Sequence, residues 1–142
     1  MLSHVNIRSS VSVYEQIENH VKFAIASGKL KHGDQLPSIK ELGDRLGINF
    51  NTVAKAYRDL EVMGLIYTRR GMGCYIRKGV QKQCKEDCYI RIAKRVNEVV
   101  QEAKAAGIPK KFLLSIVSKS IQSDADLYGE APKELLALLK KK

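Results

Sequence analysis

Apolar residues recur at three- and four-residue spacings along most of the chain, and the pattern breaks at glycines and prolines. The first such run, Tyr14, Ile17, Val21 and Ile25, predicts a helix over residues 13–26, opened by a Ser12 and Glu15 capping box and stopped at Gly28. Residues 1–11 read as a polar lead, loosely held. Gly33-Asp34 marks a turn, and Gln35-Leu36 leaves room for one short bridging strand before Pro37.

Two short helices joined by a tight turn follow. Ser38 with Glu41 makes a capping box, and Leu42 and Leu46 share one face of a first helix of about two turns. Gly47 ends it, Ile48 supplies an apolar plug, and Asn49 is a good N-cap for a second helix. That helix turns Val53, Ala56, Tyr57, Leu60 and Met63 inward and stops at Gly64. The arrangement is that of a helix-turn-helix, in which the start of the second helix points at base edges. Phe50, Asn51, Thr52 and Lys55 are left facing outward there. Asn and Lys carry groups that read purines in the major groove, and a helix N-terminus favours phosphate through its free amides. An ordinary packed helix pair with a polar outer face has the same pattern, so the reading depends on the rest of the chain.

Residues 65–69 and 74–77 are rich in β-branched and aromatic types and flank Arg70-Gly71-Met72-Gly73, which reads as a hairpin turn, or wing. Gly71 and Gly73 allow positive φ and close approach to another molecule, while Arg69 and Arg70 put charge at the tip. A plain surface hairpin would leave those arginines solvated. Behind a helix-turn-helix, contact with phosphate or the minor groove is the better reading.

Residues 80–85 read as a polar joint. From 86 to 106 the pattern is helical again, with Tyr89, Ile92, Val96, Val99 and Ala103 forming a seam suited to helix-on-helix packing. Gly107 ends this helix. Pro109 opens another with Phe112, Leu113, Ile116, Val117 and Ile121 inward, and a third starts at Pro132 with Leu135, Leu136, Leu138 and Leu139. The expected fold is mainly α with a small β wing. A winged helix-turn-helix DNA-binding domain covers residues 1–79, and a small helical dimerisation and effector-response tail covers residues 80–142.

Charge supports a polyanionic partner. The 142 residues include 25 Lys and Arg against 15 Asp and Glu, a formal charge of +10. The excess is shared between the two parts, but the densest run lies at the expected wing: Arg69, Arg70, Arg77, Lys78, Lys82 and Lys85 occur with no acidic residue between. Three cysteines, Cys74, Cys84 and Cys88, are too few for a disulfide framework and point to a reducing compartment. No signal peptide or membrane span is visible, so a cytoplasmic protein is expected.

These residues, taken together, resemble a known family. Tyr14-x-Gln16-Ile17, Gly28-x-Leu30, Gly33-Asp34-x-Leu36-Pro37-Ser38, Glu41-Leu42, Leu46-Gly47-Ile48, Asn51-Thr52-Val53, Ala56-Tyr57-x-x-Leu60-Glu61, Gly64-Leu65-Ile66 and Gly71-x-Gly73 are similar to the winged-helix domain of GntR-type bacterial transcription regulators. The resemblance covers about residues 10–77. It implies DNA contacts from Ser38 and Lys40, from Asn49, Phe50, Asn51 and Thr52, and from Arg70 and Gly71. The family commonly has Arg where Lys40 and Phe50 stand. Lys40 lacks the planar fork that grips guanine or phosphate, and Phe50 can at most touch a thymine methyl, so the operator should depart from the usual family pattern. The short helical tail resembles that of the YtrA-type subgroup, which pairs through it.

The sequence therefore predicts a transcription regulator, read as a repressor although the residues do not fix the sign of regulation, that binds a palindromic operator as a homodimer. The seam residues serve the interface, an intramolecular core, or a mixture of both. A tail of this size has no room for a large enclosed pocket, so any effector is expected at or near the dimer interface. Two other readings stay open: a non-specific nucleic-acid-binding module, and a thiol- or metal-responsive regulator using Cys84 and Cys88, which share a helix face. No catalytic constellation is present, Gly71-x-Gly73 lacks the residues of a phosphate-cradling loop, and no enzyme activity, cofactor or bound metal is expected.

Overall fold

In the computed structural model, residues 5–129 are described. Helix α1 (Val13–Ala26) is followed by α2 (Ile39–Leu46) and α3 (Phe50–Val62). Strands β1 (Ile66–Arg69) and β2 (Gly73–Ile76) come next, then the long α4 (Gln81–Ala105) and α5 (Lys110–Gln122). The third helix expected from Pro132 lies outside the described residues.

The helices of the winged-helix part, α1 to α3, form where the apolar spacing predicts, and α3 is central. It packs against α1, α2 and β1. Ile17, Val21 and Ile25 of α1, Leu42 of α2, Val53, Ala56, Tyr57 and Leu60 of α3, and Leu65, Ile66 and Ile76 of the wing make one continuous core. Complete burial of a side chain such as Leu60 is worth roughly 1.5–3 kcal/mol. Met63, expected inward, is exposed: it is the C-cap of α3, where the chain turns off toward Gly64 at φ 80° and leaves the packed face.

The entry to α1 differs from expectation. The Ser12 side chain makes no capping bond, although its carbonyl accepts the Gln16 amide at 3.0 Å. Gln16, fully buried, does the anchoring instead. Its Oε1 accepts the Asn6 N–H at 2.9 Å, and its Nε2 donates to the carbonyls of Asn6 (2.7 Å) and Val11 (2.9 Å). The segment from Val5 to Val11 is thereby tied down rather than loose, with Val5 packed on the core.

The wing is an antiparallel hairpin in the register Ile66 with Ile76 through Arg69 with Gly73. As expected, Gln35 adds a single bridge, to Tyr75. Leu36 N–H donates to Cys74 O at 2.9 Å and Ile76 N–H to Asp34 O at 2.9 Å, so the α1–α2 connection forms a third, partial strand.

The chain divides into two compact units between Ile90 and Arg91. A boundary at residues 79 and 80 and a polar joint at 80–85 were expected. Instead, α4 starts at Gln81, and Val80 and Cys84 are buried in the core of the first unit. Two apolar residues four apart put one face of this first turn against the core, while its lysines face solvent. In the second unit, Ala103 is buried, whereas α5 has no buried residue at all. Val117 and Ile121, expected inward, are exposed, and Phe112, Leu113 and Ile116 are only partly covered.

One polar contact inside the first unit couples its packing to pH. Glu18 of α1 is 6 % exposed and lies against Asp59 of α3. Burial, then a hydrogen bond to the Asp59 side chain and its negative charge, push the Glu18 carboxyl up to about 7, with Glu15 adding to the shift and Lys22 opposing it. The protonated form suits the folded state, so this contribution is fully present below the ordinary carboxyl pKa of 4.5 and is lost as pH rises through about 7. The midpoint of thermal unfolding is expected to fall between pH 5 and pH 8, and to fall less in Glu18→Gln, which keeps a donor and never ionises. Equal slopes in the two proteins would show that Glu18 does not titrate in this window.

Candidate nucleic-acid interface

Local chemistry builds the turn between α2 and α3. Ser38 Oγ accepts the Glu41 amide at 3.0 Å, forming one half of the capping box. Gly47 takes a left-handed conformation, φ 66°, and the Ile48 amide closes back onto Gly43 O at 3.0 Å. Asn49 Oδ1 then accepts the Asn51 amide at 2.8 Å and opens α3. Tyr57, anchored in the core, donates its hydroxyl to Pro37 O at 2.6 Å and so ties α3 to the start of α2. Burial pushes the Tyr57 phenol well above its ordinary pKa, so the donor proton stays in place.

On α2 and α3 the sequence-predicted contact residues fall into three groups. Ser38, Asn49 and Asn51 are exposed around the start of the two helices, with Thr52 partly covered beside them. Phe50 is 44 % exposed, yet its ring is not simply outward. It lies over Gly43, where an added Cβ would overlap the ring, so Phe50 helps set the approach of α2 to α3. Two expected cations are already engaged. Lys40 Nζ pairs with Asp44 Oδ2 at 2.9 Å along α2, and both side chains are solvent-exposed. Lys55 Nζ sits 3.6 Å over the centre of the Tyr14 ring, a cation–π contact between α3 and α1. A phosphate would have to replace the first contact and be reached past the second.

Arg69 and Arg70 are exposed at the end of the hairpin, and Gly71 (φ 75°) and Gly73 (φ 103°) both have positive φ. This turn is buttressed by side chains to which the sequence pattern assigned no such role. Gln35 Nε2 and Tyr75 Oη both donate to Met72 O at 2.9 Å, and a Cβ at Gly73 would meet the Gln35 amide 2.7 Å away. Tyr67 and Tyr75 stack with ring centres 5.7 Å apart, and Thr68 Oγ1 donates to Glu61 Oε2 at 2.9 Å, linking the wing to α3. Apart from the Tyr75 bond to Met72, which is local, these contacts join residues 7 or more positions apart, and Gln35 reaches the turn from 37 residues away, so no local signal carries them. Two positively charged arginines on a braced turn, beside an exposed helix start, can hold phosphates at one place and read bases at another.

Residues 13–76 match the family described as bacterial regulatory proteins, gntR family. Over 120 residues, 84 % of this chain and 92 % of the relative, the sequence is 38 % identical to the HTH-type transcriptional repressor YtrA of Bacillus subtilis (strain 168). The chain belongs to the GntR family. It is also 29 % identical over 108 residues to the HTH-type transcriptional regulator YhcF of the same organism, covering 75 % of this chain and 88 % of that one. Among solved structures it is similar to a GntR family transcriptional regulator from Listeria monocytogenes, with TM-score 0.61, 33 % identity, and coverage of 80 % and 98 %. GntR membership brings a winged-helix DNA-binding domain, and these relatives are transcription regulators rather than enzymes. The match to YtrA extends over most of both chains, so the resemblance includes the tail as well as the winged helix.

Cys84 weakens the thiol reading. It is buried, and burial, with Cys88 and Asp87 nearby, pushes its thiol up to about 11, so it stays protonated and a poor nucleophile or metal ligand at neutral pH. Among the described residues, no helix is long and apolar enough to cross a membrane.

The Gly43 and Phe50 contact is directly testable. Gly43→Ala should destabilise by about 1–3 kcal/mol, because the new methyl evicts the ring. In a Phe50→Ala background the same change should cost much less, the helix-propensity gain of alanine over glycine, up to about 1 kcal/mol, then opposing only the remaining tight approach to the Ile48 carbonyl at 3.3 Å. Urea unfolding of the four proteins gives the cycle, and equal effects in both backgrounds would disprove the contact.

Proposed function

We propose that this GntR-family chain is a homodimeric, sequence-specific transcriptional regulator, acting in the cytoplasm as a repressor on a palindromic operator. The observation that carries the reading is the pairing of an exposed α3 start, Asn51 foremost, with a braced wing that presents Arg69 and Arg70. Asn51 is the residue suited to bidentate contact with adenine, and Arg70 the one suited to phosphate. The repressor assignment leans on the name of the Bacillus subtilis relative.

A second copy is the proposed occupant of the tail's apolar face. Ile92, Val96 and Val99 on α4 are each about half exposed or more, and Tyr89 is 69 % exposed. With Leu113, Leu114 and Val117 of α5, the first three line a groove of about 440 Å³. Ala103, the last residue of the expected seam, is already buried within its own unit and offers little surface to a second copy. An effector that entered the same groove would change how two copies pair, which is how the tail would answer a signal. A two-fold dimer would set two recognition helices against half-sites about 10 base pairs apart, centre to centre.

Asn51→Ala should relax sequence preference and cost about 1–3 kcal/mol on the best operator selected from random DNA, while Arg70→Ala should weaken binding to every duplex and reduce the salt slope by about 1. If both variants lose affinity equally on all sequences, Asn51 does not read bases, and if no sequence is preferred at all the chain is a non-specific binder. Val96→Glu together with Val99→Glu should convert the dimer to a monomer in sedimentation velocity while leaving the melting of the winged helix unchanged. A wild-type chain that sediments as a monomer at tens of micromolar would refute the pairing.

A further inference from the structure

We infer that the first unit carries a separate small-molecule site at the base of the wing, which binds an organic anion: a compact apolar body bearing a phosphate or carboxylate group. A pocket of about 390 Å³ opens where the end of α1, the following loop, the end of β2 and the first turn of α4 meet. That volume lies in the range of small-ligand sites, roughly 300–1,000 Å³. Its floor is apolar, made by Ile25, Leu30, Ile76 and Val80. Its rim is cationic, made by Lys31, Arg77 and Lys82 with His32 beside them, and no carboxylate lines it.

None of the three rim cations has an ion-pair partner among the described residues. Asp34, the acidic residue of the neighbouring loop, does not line the pocket, and its Oδ2 accepts the Lys31 backbone N–H at 2.8 Å. Arg77 is held at the edge of the pocket by a 3.4 Å bond from its Nε to Ile66 O. The carbonyl end of α1, which would repel an anion, is closed by the amides of Ser27, Gly28 and Leu30 on the carbonyls of Phe23, Ile25 and Ala24. The opening turn of α4 adds amides that have no carbonyl to bond within the helix, and it has no acidic side chain. Like charges gathered around a cavity repel one another, and a bound anion relieves that repulsion.

DNA phosphate is the wrong occupant for this place. Ile76 pairs with Ile66 at the end of the hairpin opposite the Arg69 and Gly73 pair, three residues and about 10 Å from the tip. A ligand with an apolar body also uses the floor, which a phosphodiester backbone would not.

The test is an amide chemical-shift titration of the full chain without DNA, at constant ionic strength, using phenyl phosphate, benzoate and inorganic phosphate as probes. Phenyl phosphate or benzoate should give saturating shifts at residues 28–32 and 77–82, and whichever of the two binds tighter identifies the head group. Inorganic phosphate should bind at least several-fold more weakly. Arg77→Gln with Lys82→Gln should weaken the better probe by tenfold or more with an unchanged melting temperature. Shifts that do not saturate, that gather instead around Asn51 and Arg70, or that persist at equal affinity in the double variant would overturn the site. Because no DNA is present, this result is independent of the operator reading.

Discussion

The buried face of α3 is the constraint on which the rest of the first unit depends. Val53, Ala56, Tyr57 and Leu60 must all point at α1, α2 and β1, and a helix has no freedom to rotate once four positions are committed. Asn51 and Lys55 are therefore on the outside by geometry, whatever their chemistry. The same face orients α2, because Tyr57 reaches through the core to the Pro37 carbonyl. Phe50 over Gly43 fixes the approach from the solvent side. Phe50, which the family resemblance puts among the proposed DNA contacts, thus also serves as a spacer, which gives a physical reason for an aromatic at this position.

Charge on this surface is arranged in two ways. Arg69 and Arg70 stand in water on a turn held by Gln35 and Tyr75, so the turn is ordered before any partner arrives. Lys40 and Lys55 have internal partners, Asp44 and the Tyr14 ring. An exposed ion pair is readily traded for a phosphate, since both are screened by the same solvent. The cation–π contact holds the Lys55 ammonium over the Tyr14 ring of α1, so it reaches out less freely than that of an unattached lysine. Of the cations inferred from the resemblance and the pattern, the wing pair is the better prepared for phosphate.

Features set by neighbouring residues were legible in the sequence. The caps at Ser38 and Asn49, the left-handed Gly47 and the bridge at Gln35 each depend on a few adjacent positions, and each is present. What sequence could not supply was long-range choice between equal local options. Ser12 has the right side chain for a cap, but Gln16 fixes the entry to α1 through Asn6 and Val11. Residues 80–85 look polar because only Val80 and Cys84 meet the core, and two apolar residues in six do not mark a helix by periodicity. Ala103 fits the seam spacing as well as Val99 does. Ala103 stands at the turn into α5, where the Ile108 amide bonds its carbonyl, and is covered, whereas Val99 one turn earlier is exposed.

The second unit poses an energetic question that a single copy does not answer. Ordering a residue costs about 1–2 kcal/mol in backbone entropy, so the 13 residues of α5 require substantial burial in return. None of them is buried within the chain. Intrahelical hydrogen bonds do not fill the gap, because isolated helices of this length are marginal in water. Apolar area withdrawn from water yields about 25 cal/mol per Å², and the area left to withdraw lies on Ile92, Val96, Val99, Leu114 and Val117. If a second copy covers that surface, folding of the tail and association become one equilibrium, and the fraction of chain with an ordered tail rises with protein concentration. Pairing would then be a condition of the tail's structure as well as a way to bring two reading heads to one operator.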